Sequence, residues 1–282
     1  MEAPPEEPRF PPELEREILE FAARICPESI PNLLCVARRV LLWIEPLVYH
    51  TLEIDSSKRF KAFLAATKSR PPDFFARHVH RLIIHISYDR DSPLDDAWAA
   101  LALCTGVTRV AGVGAIVNPP LAWVLAGMRL ERVALYLSHV FPGSVELDSQ
   151  CFQTLTHLDL FDDLWNNEVA MEYAAKLARL PALTHLALNG TVDWDVTENL
   201  LQNCESLRIL VVLWSLSASE GQTRAKEVPF RDDRFLMSKY TNMTAGVQDP
   251  PSLWSQAEEF IRRKREKRLD AALFWMGGVT LD

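Results

Sequence analysis

Between residues 79 and 212 the apolar residues recur in short alternating bursts. Six segments share the pattern apolar-x-x-apolar-x-apolar: VHRLII from Val79, VTRVAG from Val107, LERVAL from Leu130, LTHLDL from Leu155, LTHLAL from Leu183 and LRILVV from Leu207. Their starts lie 28, 23, 25, 28 and 24 residues apart, and of their 18 apolar slots only Gly112 is not aliphatic. Alternation of this kind predicts short strands, with slots 4 and 6 facing one way and slots 3, 5 and 7 the other. Helix signals lie between them. Ser92 and Pro93 open one helix, and Asn118 and Pro119 open a second that Gly127 closes; a third carries Val169, Tyr173, Ala174 and Leu177 on one face. A strand and a helix repeated every 25 or so residues is a stacked architecture, because no single unit buries its own apolar face.

The chain before this ladder has a different period. Residues 1–9 are rich in Pro and Glu and are expected to be disordered. From Phe10 onward, Pro12 and the acids Glu13, Glu15 and Glu17 suit a helix start, followed by Leu14, Ile18, Phe21, Ala22 and Ile25 at helical spacing. Pro27 stops this helix. Ser29 and Pro31 open a second one with a stripe of Ile30, Leu33, Leu34, Ala37, Val40 and Leu41, and residues 42–47 predict a short third. After Trp214 the rhythm is lost. Residues 213–228 and 241–251 read as loops, and residues 234–237 as one more strand. Ser252 reads as the cap of a helix whose Trp254, Ala257, Phe260 and Ile261 would seal the far end. Leu273, Phe274, Trp275 and Met276 need cover and should dock on the preceding repeat. The expected organisation is a disordered segment 1–9, a helical unit 10–50, a repeat domain 51–228 and a capping segment 229–282.

Composition narrows the function classes. The chain has 282 residues, 48% hydrophobic and 24% charged, with a net charge of −8. That balance argues against bulk phosphate neutralisation on nucleic acid. No apolar stretch is long enough to cross a bilayer, and the N-terminus has no secretory pattern. Five cysteines, an odd number without a CxxC pair, sit among apolar neighbours and read as reduced intracellular thiols. No P-loop, GxSxG, HExxH or GxGxxG is present, so neither an enzyme nor a cofactor is expected. His78 and His80 read as one face of a strand with no third metal ligand. The acid pairs Asp162-Asp163 and Asp232-Asp233 read as solvated turns. The basic run 262–268, RRKREKR, is similar to a nuclear import signal, but interrupting glutamates make it a solvated helix face. An intracellular location, cytoplasm or nucleus, is the expectation.

The ladder resembles a leucine-rich-repeat horseshoe, an α/β solenoid with parallel strands on the concave side and helices on the convex side. The family's Asn at the ninth slot is replaced here by Ser87, Ala115, Ser138, Asp163, Thr191 and Ser215. An ordinary α/β domain with parallel strands produces a similar alternation. The front end resembles an F-box: Phe10-Pro11-Pro12-Glu13-Leu14 looks like the L-P-x-E-L opening, with Phe10 in place of Leu. Residues 33–40, LLCVARRV, look like that family's later stretch. The run VARRVLLWIEPLVYHTLEI is similar to the F-box-like opening of a large group of fungal proteins, in which it leads directly into repeats. The resemblance implies docking on a Skp-type adaptor of a cullin ubiquitin ligase, with the repeats choosing the target protein. Carried over position by position, the adaptor contacts would be Phe10, Pro11, Leu14, Ile18, Leu34, Val36, Val40 and Trp43. The alternative is a solenoid interaction module without a ligase, whose helical start only caps the repeats.

The predicted concave face carries its own signal. Slot 3 reads Arg81, Arg109, Arg132, His157, His185 and Ile209, a column of like charge on strands about 4.8 Å apart. Either nearby acids such as Glu131 and Asp159 compensate it, or it awaits an acidic protein segment. Slot 7 adds Tyr136 and Phe161. Arg109, Arg132, Tyr136, His157, Phe161 and His185 are therefore the candidate partner-binding patch, because Arg and Tyr are frequent interface anchors. The bland alternative is that these side chains meet each other or a returning loop.

Overall fold

The computed structural model describes residues 10–86, 94–114, 117–143, 145–164 and 167–277. The chain opens with α1 (Pro12–Ile25), a single 3-10 turn (Pro27–Ser29), α2 (Ile30–Leu33) and α3 (Arg38–Tyr49). Next come β1 (Thr51–Ile54), α4 (Ser57–Ser69), α5 (Pro72–His78), β2 (Arg81–Ile86), α6 (Leu94–Leu101), β3 (Arg109–Gly114) and α7 (Pro119–Ala126). The middle holds β4 (Arg132–Leu135), α8 (Leu137–Val140), a 3-10 turn (Gln150–Phe152), β5 (His157–Leu160), α9 (Asn167–Leu177) and β6 (His185–Asn189). The chain continues through α10 (Trp194–Asn203), β7 (Ile209–Trp214), α11 (Ala218–Lys226), β8 (Phe235–Lys239) and α12 (Leu253–Arg265).

The eight strands among the described residues form one parallel sheet in strict chain order, β1 to β8. A doubly wound domain reverses its strand order at a switch point; this sheet never does, so the fold is α/β and solenoid-like. Register follows the sequence slots residue by residue. Leu82 pairs with Val110, then Val133, Leu158, Leu186, Leu210 and Phe235. These slot-4 residues are buried in one continuous core with helix residues such as Phe60, Leu121, Tyr173 and Leu200. One strand alone leaves its apolar side chains uncovered, so each unit depends on its neighbours for cover.

Several expectations are corrected. The predicted second helix breaks at Ala37, whose backbone is extended, and a longer α3 starts behind it. Residues 213–228 are not a loop. They include α11, which Ser217 and Glu220 start with a capping box. The strand expected at residues 234–237 is present as β8, and β1 adds a strand that the sequence pattern does not predict; both join the sheet. Ser252 does cap α12, with Ser255 completing the box. However, α12 does not seal the far end. That edge is met by residues 274–276: Met237 N–H donates to the Phe274 carbonyl at 2.6 Å and Met276 N–H to the Met237 carbonyl at 2.8 Å. The predicted helix start at Ser92 and Pro93, the ninth-slot residues Ser87 and Ala115, and residues 1–9 lie outside the described residues.

Asp162 corrects another expectation. It is not a solvated turn acid: it is 4% exposed and accepts hydrogen bonds from Leu137 N–H, Ser138 N–H and Tyr173 Oη. It ties the turn after β4 to the turn after β5. Asp232 is likewise tied, to Arg234 at 2.7 Å. His78 closes α5 rather than sharing a strand with His80, and its ring meets Phe74. Cys104, Cys151 and Cys204 are buried, and burial pushes the Cys104 thiol up to about 12; Cys26 and Cys35 are exposed instead.

Candidate protein-interaction site

The N-terminal unit has a small core of its own. Ala23, Val40 and Ile44 form its centre, and Leu19, Ile30, Leu33, Leu34, Trp43 and Leu47 pack around them. Arg39 clasps Glu15 with two hydrogen bonds, at 3.0 and 2.7 Å, which fixes α3 against α1. At its far end α3 joins the main body: Glu45 accepts from Arg70, whose guanidinium lies 5.0 Å from the Tyr49 ring centre.

Of the eight residues implied as adaptor contacts, Phe10, Pro11, Leu14, Ile18 and Val36 are exposed, and Leu34 and Trp43 are half-buried. Val40 is a correction: its exposure is 0%, so it holds the unit together and presents nothing outward. The predicted stripe on α1 also faces the unexpected way. Leu14, Ile18, Phe21 and Ile25 are 48%, 51%, 64% and 60% exposed, and the inward side is built from Leu19 and Ala23. Four large apolar side chains on one solvent-facing helix stripe constitute an uncovered apolar surface.

The second candidate surface is occupied by the chain itself. The slot-3 column does align: Arg81, Arg109, Arg132, His157 and His185 sit on consecutive strands in register. Residues 241–265 run across it. Asp249 takes both Arg81, at 2.5 Å, and Arg109, and these guanidinium groups hold its carboxyl down at about 2. Arg132 donates to the Gln248 carbonyl at 3.0 Å. Trp254 sets its edge against His157 and His185, which are themselves stacked with centroids 4.1 Å apart. Val247 packs with Ala111, Ala134 and Phe161. Behind it, α12 lays Trp254, Ala257, Phe260 and Ile261 on Ala187, Ile209, Val211 and Leu236. The acid that compensates the column is therefore Asp249, not Glu131 or Asp159.

Magnitude decides whether this cover is removable. Trp254, Phe260, Ile261 and Val247 are each at most 3% exposed, and burial of such side chains is worth roughly 2 kcal/mol each. An ordinary micromolar partner brings about 8 kcal/mol in total. Displacing the segment would consume that gain, so the face is closed. Phe161 is buried, His157 and His185 lie beneath Trp254, and Arg109 and Arg132 are engaged internally.

Open space also lies at the C-terminal ends of the strands. Tyr136 stacks on His139 at 4.8 Å and separates two pockets. One, about 330 Å³, is lined by His139, Phe141, Asp163 and Glu172 among others. The other, about 230 Å³, is lined by Val113, Phe161, Asn189 and Tyr240. Tyr136 is thus the one member of the expected patch that borders open space on two sides. Asn189 also donates to Asp159 at 2.7 Å and to the Leu160 carbonyl at 2.9 Å, a second inter-strand tie.

Among the described residues no group of three or more His, Cys, Asp or Glu side chains is arranged to hold a metal ion, and no helix is long and apolar enough to cross a membrane. Asp249 and Val247 carry no periodic signal, and only the unmet charge of the slot-3 column points to an acid somewhere; Trp254 lies on the predicted stripe of α12, but that stripe does not say which face it covers. The chain matches no protein-family model, and no curated protein sequence matches it.

Proposed function

We propose that the chain is an F-box-like recruiting adaptor: the α1 stripe docks on a Skp-type adaptor of a cullin ubiquitin ligase, and the strand-end rim around Tyr136 engages the target protein. The observation that carries this is the outward stripe of Leu14, Ile18, Phe21 and Ile25, continued by Phe10 at 55% exposure. A unit that served only as a cap would turn its apolar stripe onto the first repeat. Here that contact is made by the end of α3, through Tyr49 and the Glu45–Arg70 pair, and α1 is left free. Covering each of those side chains on a partner is worth on the order of 1 kcal/mol, since each is about half exposed. The sum, about 5 kcal/mol over five side chains, is a large share of the roughly 8 kcal/mol of a micromolar complex, and polar contacts around the stripe would supply the rest.

The test is direct binding of the full chain to a purified Skp-type adaptor, alongside the double variant Leu14→Glu, Phe21→Glu. Both positions are solvent-facing, so the variant keeps its fold. Binding by the parent chain and a loss of at least about tenfold in the variant, roughly 1.4 kcal/mol, is the expected result. Absence of binding by the parent chain removes the ligase reading and leaves the alternative, a solenoid interaction module whose helical start is a cap.

A further inference from the structure

A third pocket, about 360 Å³, lies between α12 and the first residues of β6 and β7; it is lined by His185, Arg208, Ile209, Glu258, Ile261, Arg262, Arg265 and Glu266. Its charges are unevenly satisfied. Glu266 is taken by Arg262 at 2.6 Å and by Arg268 at 3.1 Å. Arg208 and Arg265 are exposed and have no ion-pair partner among the described residues. On the pocket floor, His185 is 5% exposed, and nothing hydrogen-bonds its Nε2. Glu258 Oε1 stands 3.3 Å from that nitrogen, near enough to attract a protonated ring but out of hydrogen-bond geometry, and its side chain is 60% exposed.

The tautomer of His185 follows from its other side. Thr184 Oγ1 donates to the Thr156 carbonyl at 3.1 Å, so its lone pair accepts from His185 Nδ1–H, 2.8 Å away. In the neutral ring Nε2 is therefore a lone pair, buried and waiting for a donor. The pocket combines two unpaired guanidinium groups, suited to an oxyanion, with one acceptor, suited to a hydroxyl.

We propose that this pocket binds a phosphomonoester group, its oxyanions held by Arg208 and Arg265 and its P–OH donating to His185 Nε2. A phosphate monoester has its second pKa near 6 and so supplies both an oxyanion and a hydroxyl at and below about pH 6, where the titrations are run. Sulfate supplies no hydroxyl. Glu258, whose Oε1 stands 3.3 Å from Nε2, occupies the approach to that nitrogen and repels an anion, so it swings aside on binding. This inference is independent of adaptor docking, which involves the opposite end of the chain.

The experiment is titration of the full chain with inorganic phosphate, sulfate and phosphoserine. Calorimetry reads affinity, and ¹⁵N-histidine NMR reads the Nε2 shift of His185. Saturable phosphate binding, at least about tenfold tighter than sulfate and accompanied by a shift of His185 Nε2, supports the site; phosphoserine binding as tightly as or more tightly than phosphate extends it to esters, and binding of free phosphate alone overturns the ester assignment. Arg208→Ala, Arg265→Ala should weaken binding at least tenfold, and Glu258→Gln should tighten it severalfold. No saturable binding, equal binding of sulfate, or an Arg208→Ala, Arg265→Ala variant with parental affinity overturns the proposal. All three substituted residues are exposed, so an unchanged far-UV spectrum and melting temperature separate loss of site from loss of fold.

Discussion

Gly246 lies directly on Asp159: a Cβ placed at Gly246 would stand 2.7 Å from Asp159 Cβ and 3.0 Å from its Oδ2. Asp159 is fully buried, so it has nowhere to retreat. The segment that covers the slot-3 column thus touches the sheet at a point where only a hydrogen fits.

Gly246→Ala should therefore lift the segment and destabilise the fold by roughly 1–3 kcal/mol, the usual cost of overpacking. Gly127→Ala is the control. Its nearest foreign atom would be 3.6 Å from the new Cβ, and its φ is an ordinary −81°. That variant should be neutral or gain about 0.4–1 kcal/mol through reduced freedom of the unfolded chain. Urea unfolding of both measures the contrast, and equal stabilities would mean that the segment is not held at Gly246.

Asp159 also sets a pH dependence. Burial raises its carboxyl to about 7, offset in part by the hydrogen bond from Asn189. The folded state therefore binds a proton that the unfolded chain releases near 3.8, and stability falls as pH rises from there to about 7. His157 works in the opposite direction. Burial first, then the neighbouring His185 and arginines, hold its ring down to about 3, so its contribution is whole above 6.5 and is lost as pH falls below that. In the parent chain the two slopes oppose one another between about pH 4 and 6.5. Asp159→Asn removes one of them. Its stability relative to the parent should grow by roughly 1.4 kcal/mol per pH unit across that window, whatever constant offset the new amide brings. Unfolding free energies over a pH series give the slope, and parallel profiles would show that Asp159 does not titrate there.

The sheet was legible because its signal is local and repeated. Leu158, Leu186 and Leu210 align in the structure as their slots aligned in the sequence, and Asn118, Pro119 and Gly127 bracket α7 as their backbone preferences require. β1 was missed because four residues show too little alternation. The helix α11 was missed because its sequence, ASEGQTRAK, offers only Gly221 and Ala225 for burial. The course of residues 241–251 was illegible for another reason. Asp249 meets Arg81 across 168 positions of sequence, and a loop without periodicity carries no mark of where it docks. The same blindness applied to α1: spacing identifies an apolar stripe, but not whether the fold covers it.

Asp162 is the residue whose role the turn chemistry concealed most. Its carboxylate, 4% exposed, accepts from two backbone N–H groups at 2.7 Å each and from Tyr173 Oη at 3.1 Å. Hydrogen bonds to a charged group contribute about 1.5–3 kcal/mol, and buried donors left without an acceptor cost about 1–3 kcal/mol. Asp162→Ala strands Leu137 N–H and leaves Ser138 N–H and Tyr173 short of an acceptor, so a loss of roughly 3–5 kcal/mol is expected, the range for breaking a buried charged network. Asp162→Asn keeps one carbonyl oxygen and should cost about half as much. Tyr173→Phe removes only the third donor and should cost about 1 kcal/mol. The ordering Ala, then Asn, then Tyr173→Phe, read from urea midpoints at constant m, tests whether this carboxylate is the tie between the two turns. A Tyr173→Phe loss equal to that of Asp162→Ala would assign the tie to the phenol instead.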